Sequence, residues 1–314
     1  MRIAITGGIG FVGGHLATAL VDEGHEVVVV ARGVDRRHAS ASRPAGITFV
    51  RADVTNLGAL ATAFRGCHAV AHCAGINRQR GRQSYTNVHV RGTEVVVRAA
   101  ASAGVDKLVL LSFLRARPGC GSAYHESKWE AEERIRHSGL DYTIVKAGVV
   151  YGQGDHLLDH LSHALLTAPL FATVGVHERP LRPLAVEDLV VVLRAALVDR
   201  WLSRATVAVV GPEPLRLSVV VRRVAQVVGV RPLVVPLPVA IHYGLAWLFE
   251  RLMKVPLVSI AQTRILAEGV EEPAGPTSPL PPELTPRRRF TSDQIRRGLP
   301  APAPFGWRDL RCAT

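Results

Sequence analysis

The sequence predicts an α/β fold in which a doubly wound parallel sheet is followed by a smaller C-terminal lobe. Three observations predict it. A short apolar run at the start of the chain breaks into a glycine-rich turn and then a helical pattern. Strand-like and helix-like patterns alternate up to about residue 150, as in a parallel sheet. The pattern then changes, within a chain of 314 residues that is long enough for one large or two modest domains.

The first element is a strand followed by a tight turn and a helix. Glycines at positions 7, 10 and 13 follow the apolar run Ile3–Ile5. They let the backbone turn, approach a pyrophosphate and pack the helix on the strand, while the free N–H groups of the first helical turn attract the anion. We therefore predict a Rossmann-type dinucleotide site, with an ordinary glycine-rich turn as the alternative. Its expected residues are Thr6, Gly7, Gly10, Phe11, Val12 and Gly13.

The following elements continue the alternation. Strands are predicted near 2–6, 26–31, 47–51, 69–73, 107–112 and 142–147, and helices near 11–23, 57–64, 85–103 and 123–138. Ligands of such sheets bind at the carboxyl ends of the strands. Asp53 is placed there to bond the adenine amino group, and Ala74 and Gly75 lie beside the ribose. Further cofactor contacts are expected at Val54, Ala147, Val149 and Val150.

The end of the second strand indicates which dinucleotide binds. No acid stands where an NAD-selecting carboxylate is expected, and Arg32, Arg36 and Arg37 follow the strand instead. Arginine binds phosphate through two parallel hydrogen bonds, which favours the 2′-phosphate of NADP(H). We expect NADP(H), with NAD(H) as the alternative. The alternative interpretation of these arginines is that they are solvated charges of a surface loop.

The segment after the fifth strand carries the chemistry. Tyr124 and Lys128 are four residues apart on a predicted helix, so their side chains share one face. An ammonium group there would lower the phenol pKa and hold the ribose hydroxyls. Tyr124 is therefore the predicted acid/base, Lys128 the ribose anchor, and Ser112 the candidate hydroxyl partner.

With these motifs the chain resembles the extended and atypical short-chain dehydrogenase/reductases. The resemblance covers roughly residues 1–240 and includes the segments 71–75, 90–93, 143–155 and 182–189. It is nearest to the atypical group that includes the NADPH-binding 39-kilodalton accessory subunit of complex I. The resemblance implies reductase, epimerase or dehydratase activity, whereas that accessory subunit is regarded as non-catalytic.

Three positions depart from the family pattern. Phe113 stands where the family's serine aligns, with Ser112 one position earlier. His89 stands where the pattern has asparagine, although Asn87 lies two residues earlier, and Lys146 stands where arginine is common. Losing a hydrogen bond to a developing oxyanion typically costs about 2.7–4 kcal/mol. Two hypotheses follow: an NADP(H)-dependent oxidoreductase or redox epimerase, or a nucleotide-holding accessory or sensor protein.

The C-terminal half is predicted to cover the nicotinamide and choose the substrate. Residues 151–270 form this mainly helical lobe, except that a strand at 205–210 rejoins the sheet, and a helix is expected over 216–228. His156, His160 and Arg182 are candidate substrate contacts. Residues 233–253 are apolar, interrupted by two prolines and short of a membrane span. We expect a buried lid or oligomer helix, with an interfacial membrane anchor as the alternative.

The last segment and the composition complete the analysis. Residues 271–286 are proline-rich and predict an extended surface connection, after which Phe305, Trp307 and Leu310 are expected to pack back onto the fold. The net charge of +12 comes from scattered arginines, which does not favour nucleic-acid binding. The four cysteines have no metal-ligand or disulfide spacing. We expect no metal, no signal peptide, a cytoplasmic location with attachment to a membrane surface as the alternative, and a small-molecule substrate; substrate identity and oligomeric state stay open.

Overall fold

The computed structural model describes residues 1–33, 46–253, 258–301 and 304–305. Within these ranges no helix is long and apolar enough to cross a membrane. The chain divides into two compact units. Unit 1 comprises residues 1–147, 186–209 and 272–285, and unit 2 comprises residues 148–185, 210–271 and 286–314.

The elements are labelled in chain order. The strands are β1 (Arg2–Thr6), β2 (Glu26–Ala31), β3 (Ile47–Arg51), β4 (Ala69–His72), β5 (Lys107–Phe113), β6 (Asp141–Ala147), β7 (Val150–Tyr151), β8 (Leu170–Val174), β9 (Leu184–Ala185), β10 (Ala205–Val209) and β11 (Leu233–Leu237). The α-helices are α1 (Phe11–Asp22), α2 (Leu57–Phe64), α3 (Gly92–Ser102), α4 (Ala123–Arg136), α5 (Leu157–Thr167), α6 (Val186–Leu197), α7 (Leu217–Val228), α8 (Val239–Leu252), α9 (Ile260–Glu268) and α10 (Ser292–Gly298). A π-helical segment, Thr86–Arg91, leads directly into α3, and a short 3₁₀ turn spans Pro282–Leu284.

Unit 1 is built on a seven-stranded parallel sheet. Its strand order is β10-β6-β5-β4-β1-β2-β3, so the order reverses between β1 and β4. The central strands are almost wholly apolar because both faces are covered, and Ile3, Ile5 and Val70 have no exposed surface. A reversal of strand order of this kind creates the crevice in which parallel sheets bind ligands. The predicted doubly wound fold is confirmed, and its elements agree with the sequence analysis within a residue or two.

Two segments return to unit 1 from later in the chain. Helix α6 and strand β10 both belong to it, whereas sequence reasoning assigned only the strand. The proline-rich residues 272–285 also belong to unit 1: the Ser278 N–H donates to the Thr206 carbonyl at 2.7 Å, and the Ala274 N–H donates to the Leu114 carbonyl at 3.0 Å. This extended connection is therefore held to unit 1 by backbone hydrogen bonds.

Unit 2 contains two small parallel strand pairs, β7 with β9 and β8 with β11, together with α5 and α7–α10. The apolar run 233–253 is not one helix. Its first five residues form β11, Pro236 included, and α8 begins after Pro238. Only His242 and Ala246 are buried in α8, so the chain does not bury this helix as a lid, and the oligomer helix stays a prediction. Phe305 packs its ring against His163 at 5.3 Å, while Trp307 and Leu310 lie outside the described residues.

Candidate functional site

The glycine turn between β1 and α1 is set by backbone packing. Gly7 has a φ of +72°, and a Cβ there would lie 2.8 Å from the Ala74 Cα. A Cβ on Gly13 would lie 2.4 Å from the Gly7 carbonyl oxygen. Helix α1 begins at Phe11 after Gly10, which provides no side-chain cap. The N–H groups of its first turn are therefore suited to bind a phosphate, as the sequence predicts.

Several predicted cofactor residues lie at the carboxyl end of the sheet. Thr6 ends β1, Ala147 ends β6, and Asp53 and Val54 follow β3. The Asp53 Oδ1 accepts hydrogen bonds from the Thr55 N–H at 2.9 Å and from its hydroxyl at 2.7 Å, which fixes the carboxylate at this edge. Ala74 packs on the glycine turn. These positions surround the crevice where the strand order reverses.

The structure adds one arginine that sequence reasoning missed. Arg32 is exposed just beyond β2, and its carbonyl accepts a hydrogen bond from the Nε of Arg51 at 3.0 Å. Arg51 ends the neighbouring strand β3, where it pairs in register with Ala31. A second guanidinium is thus held at the edge where a ribose 2′-phosphate is expected. The sequence signal that could have found Arg51 is the predicted pairing of β2 with β3, which places the ends of the two strands side by side. Arg36 and Arg37 lie outside the described residues.

Tyr124 and Lys128 lie on α4, as predicted, next to the end of β4. The Lys128 Nζ donates to the Leu111 carbonyl at 3.2 Å and lies so close to Gly75 that a Cβ there would be 3.3 Å from it. Burial lowers the pKa of Lys128 to about 8. The ammonium therefore stands at the β4 turn, where the nicotinamide ribose is expected.

Aromatic rings surround Tyr124. The ring centroid of Phe113 lies 5.5 Å from that of Tyr124, and the rings of Tyr85 and His89 lie 5.6 Å and 5.9 Å away. Burial, with a smaller contribution from Tyr85, raises the pKa of the Tyr124 phenol above its ordinary value. This direction is opposite to the lowering by Lys128 that the sequence predicts, because removal from water dominates the pKa of the phenol.

His89 connects the π-helical segment to α4. Its Nε2 accepts the Ile76 N–H at 3.1 Å, so the ring proton is on Nδ1, which donates to the Ser127 hydroxyl at 2.9 Å. Ser127 in turn donates to the Tyr124 carbonyl at 3.0 Å. Burial lowers the pKa of His89 to about 2, so the ring stays neutral. His89 thus positions the helix that carries Tyr124.

Ser112 does not lie beside Tyr124. Its hydroxyl donates to the Glu132 carboxylate at 2.6 Å, and Glu132 is fully buried. Neighbouring residues of a strand face opposite sides, so Phe113 points toward Tyr124 while Ser112 points away. Lys146 completes the cluster, donating to Ala274 O at 2.7 Å, Ala116 O at 3.0 Å and Glu132 at 3.5 Å. The expectation of a Ser112 hydroxyl partner is corrected: Ser112 is bonded into a buried ionic cluster.

Unit 2 holds the other predicted residues. Val150 lies in β7, with Val149 just before it, and the Val149 carbonyl accepts the Leu184 N–H at 2.9 Å. The Arg182 guanidinium donates to the backbone carbonyls of Gly211 at 2.8 Å and Pro212 at 3.1 Å. These hydrogen bonds tie two segments of unit 2 together, so the guanidinium is engaged by the backbone. The rings of His156 and His160 lie 5.8 Å apart, and burial lowers the pKa of His160 to about 4. Over the described ranges, no cluster of histidine, cysteine or acidic side chains could hold a metal ion.

Comparison with known proteins agrees with this geometry. The family model described as NAD(P)H-binding matches residues 7–158. The chain is 28% identical to a ceramide reductase of Caulobacter vibrioides over 75% of this chain and 73% of that protein. It is 23% identical to the 40 kDa subunit of NADH-ubiquinone oxidoreductase of Neurospora crassa, over 81% of this chain and 68% of that subunit.

A further relative is much longer. An uncharacterized protein of Mycobacterium tuberculosis is 30% identical over 74% of this chain, but the match covers 24% of that protein, so the chain spans about a quarter of its length. Among solved structures, UDP-glucuronic acid 4-epimerase from Bacillus cereus, in complex with UDP-glucuronic acid and NAD, superposes with a TM-score of 0.68 at 16% identity, over 95% of this chain and 97% of that one. That likeness shows the fold.

Proposed function

We propose that this chain, whose residues 7–158 match an NAD(P)H-binding family model and whose motifs fit the extended short-chain dehydrogenase/reductases, is an NADP(H)-dependent oxidoreductase that reduces a carbonyl group. One observation carries the proposal. Lys128 faces the β4 turn from the same helix that presents Tyr124, so a ribose anchor and a proton donor share one site.

The residues divide the reaction between them. When bound, NADPH supplies the hydride that adds to the carbonyl carbon. The Tyr124 phenol donates its proton to the carbonyl oxygen, which yields an alcohol. Lys128 holds the ribose hydroxyls and stabilises the developing phenolate by its charge. The Tyr124 phenol is protonated at neutral pH, as a proton donor must be, although its raised pKa makes it a weaker acid than a tyrosine in water.

The rings around Tyr124 support an apolar substrate. Phe113 lies beside Tyr124 and stands where the family pattern has a serine, and this apolar ring favours a ketone on a lipid-like molecule over a sugar. The similarity to a ceramide reductase supports the same substrate class. Two arginines at the β2–β3 edge support NADPH over NADH.

The test uses absorbance of the reduced nicotinamide with a panel of ketones, aldehydes, quinones and sugar nucleotides. We expect NADPH consumption with an apolar ketone and a loss of kcat of at least about 100-fold in Tyr124→Phe, with NADPH affinity unchanged. Tyr142→Phe, a half-buried tyrosine in β6, is the control and keeps the parent rate. Parent turnover by Tyr124→Phe would overturn the proposal.

Phe113 favours a second candidate, a nucleotide-holding accessory protein. It replaces a hydroxyl beside Tyr124, and a complex I subunit is among the similar proteins. This candidate predicts that NADPH stays bound through gel filtration and is inert to the whole panel. Carbonyl reduction at ordinary enzymatic rates excludes it.

A further inference from the structure

Helix α8 exposes an apolar stripe along one side. Ile241, Trp247, Leu248 and Leu252 are 41–51% exposed, and they recur at the spacing of a single helical face. The exposed residues Ala240, Gly244 and Arg251 lie on the same side of the helix. We call these seven residues the α8 face: Ala240, Ile241, Gly244, Trp247, Leu248, Arg251 and Leu252. Such a stripe on a surface helix marks an interaction site.

The opposite side of α8 holds the helix in unit 2. His242 and Ala246 are buried, and the His242 Nε2 lies 3.5 Å from the Ala172 carbonyl of β8. The one acid of the helix, Glu250, is half-buried and accepts the Ile260 N–H at 3.1 Å. The α8 face is thus presented on a packed helix and contains no acidic residue.

Charge and aromatic chemistry suit an anionic lipid surface. The Arg251 guanidinium lies over the Trp247 indole, 4.1 Å from its centroid. A cation stacked on tryptophan at the edge of an apolar stripe matches the boundary between headgroups and acyl chains. Unit 2 is basic, with sixteen Lys and Arg against nine Asp and Glu in its sequence. It is therefore attracted to negative headgroups.

Size argues against the other occupants. Fourteen residues rise about 21 Å, short of the roughly 30 Å hydrocarbon core, so α8 can lie on a bilayer but not span it. The α8 face has seven residues, whereas a stable protein interface takes about 20–30 residues a side. We propose that the α8 face rests on the headgroup region of an anionic lipid bilayer. This proposal is independent of the carbonyl reduction proposed above.

The test is sedimentation of the full chain with sucrose-loaded vesicles. We expect binding to phosphatidylcholine vesicles containing about 30% phosphatidylglycerol, and weaker binding to phosphatidylcholine alone or at raised salt. The double variant Trp247→Ser/Leu248→Ser is expected to bind at least about tenfold more weakly. Trp201→Ser is the matched control, since Trp201 is 39% exposed in unit 1, outside α8, and it keeps the parent affinity.

Three results would overturn the proposal. The first is that the parent fails to bind the anionic vesicles, and the second is that the double variant binds them as the parent does. The third is that the parent, without vesicles, is a dimer in analytical ultracentrifugation and the double variant is a monomer. In the last case the α8 face serves a second copy of the chain. Thermal melting verifies that both variants are folded. Turnover of a water-soluble carbonyl is expected to be equal in all three proteins, so failure here is distinct from failure of the proposed activity.

Discussion

Two neighbouring glycines in α1 give a matched test of the dinucleotide turn. A Cβ on Gly13 would lie 2.4 Å from the Gly7 carbonyl oxygen, whereas ordinary contact begins at 3.4 Å, so the turn and the helix must separate by about 1 Å. A Cβ on Gly14 would lie 3.7 Å from the Gly8 carbonyl oxygen, which is ordinary contact. Gly13→Ala and Gly14→Ala therefore add the same methyl group to one helix with opposite consequences.

The magnitudes follow from packing and from helix propensity. Overpacking lowers the free energy of unfolding of Gly13→Ala by about 1–3 kcal/mol. Gly14→Ala raises it by about 0.5–1 kcal/mol, because alanine loses less conformational entropy in a helix. Moving the N–H groups of α1 away from a phosphate removes one charge-assisted hydrogen bond, worth about 1.5–3 kcal/mol, so NADPH binds Gly13→Ala about 10–100-fold more weakly.

The assays are urea denaturation and titration of NADPH fluorescence. Gly14→Ala serves as the control and is expected to bind NADPH as the parent does. The interpretation of the turn is refuted if Gly13→Ala matches the parent in both stability and NADPH affinity. It is equally refuted if both variants lose stability by the same amount.

Three further predictions concern the same unit. Arg51→Ala is expected to weaken NADPH binding about 10–100-fold and leave NADH binding unchanged, because it removes a cation from the 2′-phosphate edge; Arg98→Ala, on the exposed side of α3, is the calorimetric control, and equal losses for both cofactors would contradict the assignment. NADPH affinity is expected to fall as pH rises through about 8, since Lys128 loses its charge there, whereas Lys128→Met shows no such step; a parallel pH profile for the two proteins would exclude Lys128 as the ribose anchor. Ser112→Ala is expected to lower the free energy of unfolding by about 1–3 kcal/mol through its lost bond to Glu132, with turnover unchanged; a selective loss of kcat would restore Ser112 to the active site.

The fold was predictable because its signals are local. The glycine turn follows β1 directly, and the apolar runs of β1, β2 and β4 to β6 are buried, which gives each of these strands a clear pattern. Tyr124 and Lys128 were found for the same reason, since their spacing alone places them on one helix face. Residues that follow a strand could be assigned to the carboxyl edge of the sheet once the sheet itself was predicted.

The remaining features depend on contacts between distant residues. Arg51 reaches Arg32 only through the register of β2 and β3. Ser112 and Phe113 could be separated only by knowing which face of β5 meets α4. The raised pKa of Tyr124 depends on how far the surrounding rings exclude water, which spacing does not reveal. The exposure of α8 depends on the tertiary packing of His242 and Ala246.

The interleaving of the two units limits how the chain can be divided. The chain passes between the units at residues 147, 185, 209, 271 and 285, so neither unit is one continuous segment. A fragment ending at residue 158, where the family match ends, would lack β10 and helix α6. Strand β6 would then present its backbone N–H and C=O groups to other chains, a template for aggregation. Lys146 would also lose the Ala274 carbonyl that accepts its hydrogen bond. The nucleotide-binding unit is therefore completed by residues 186–209 and 272–285, and a gene fragment chosen by the family boundary would encode a sheet without its last strand.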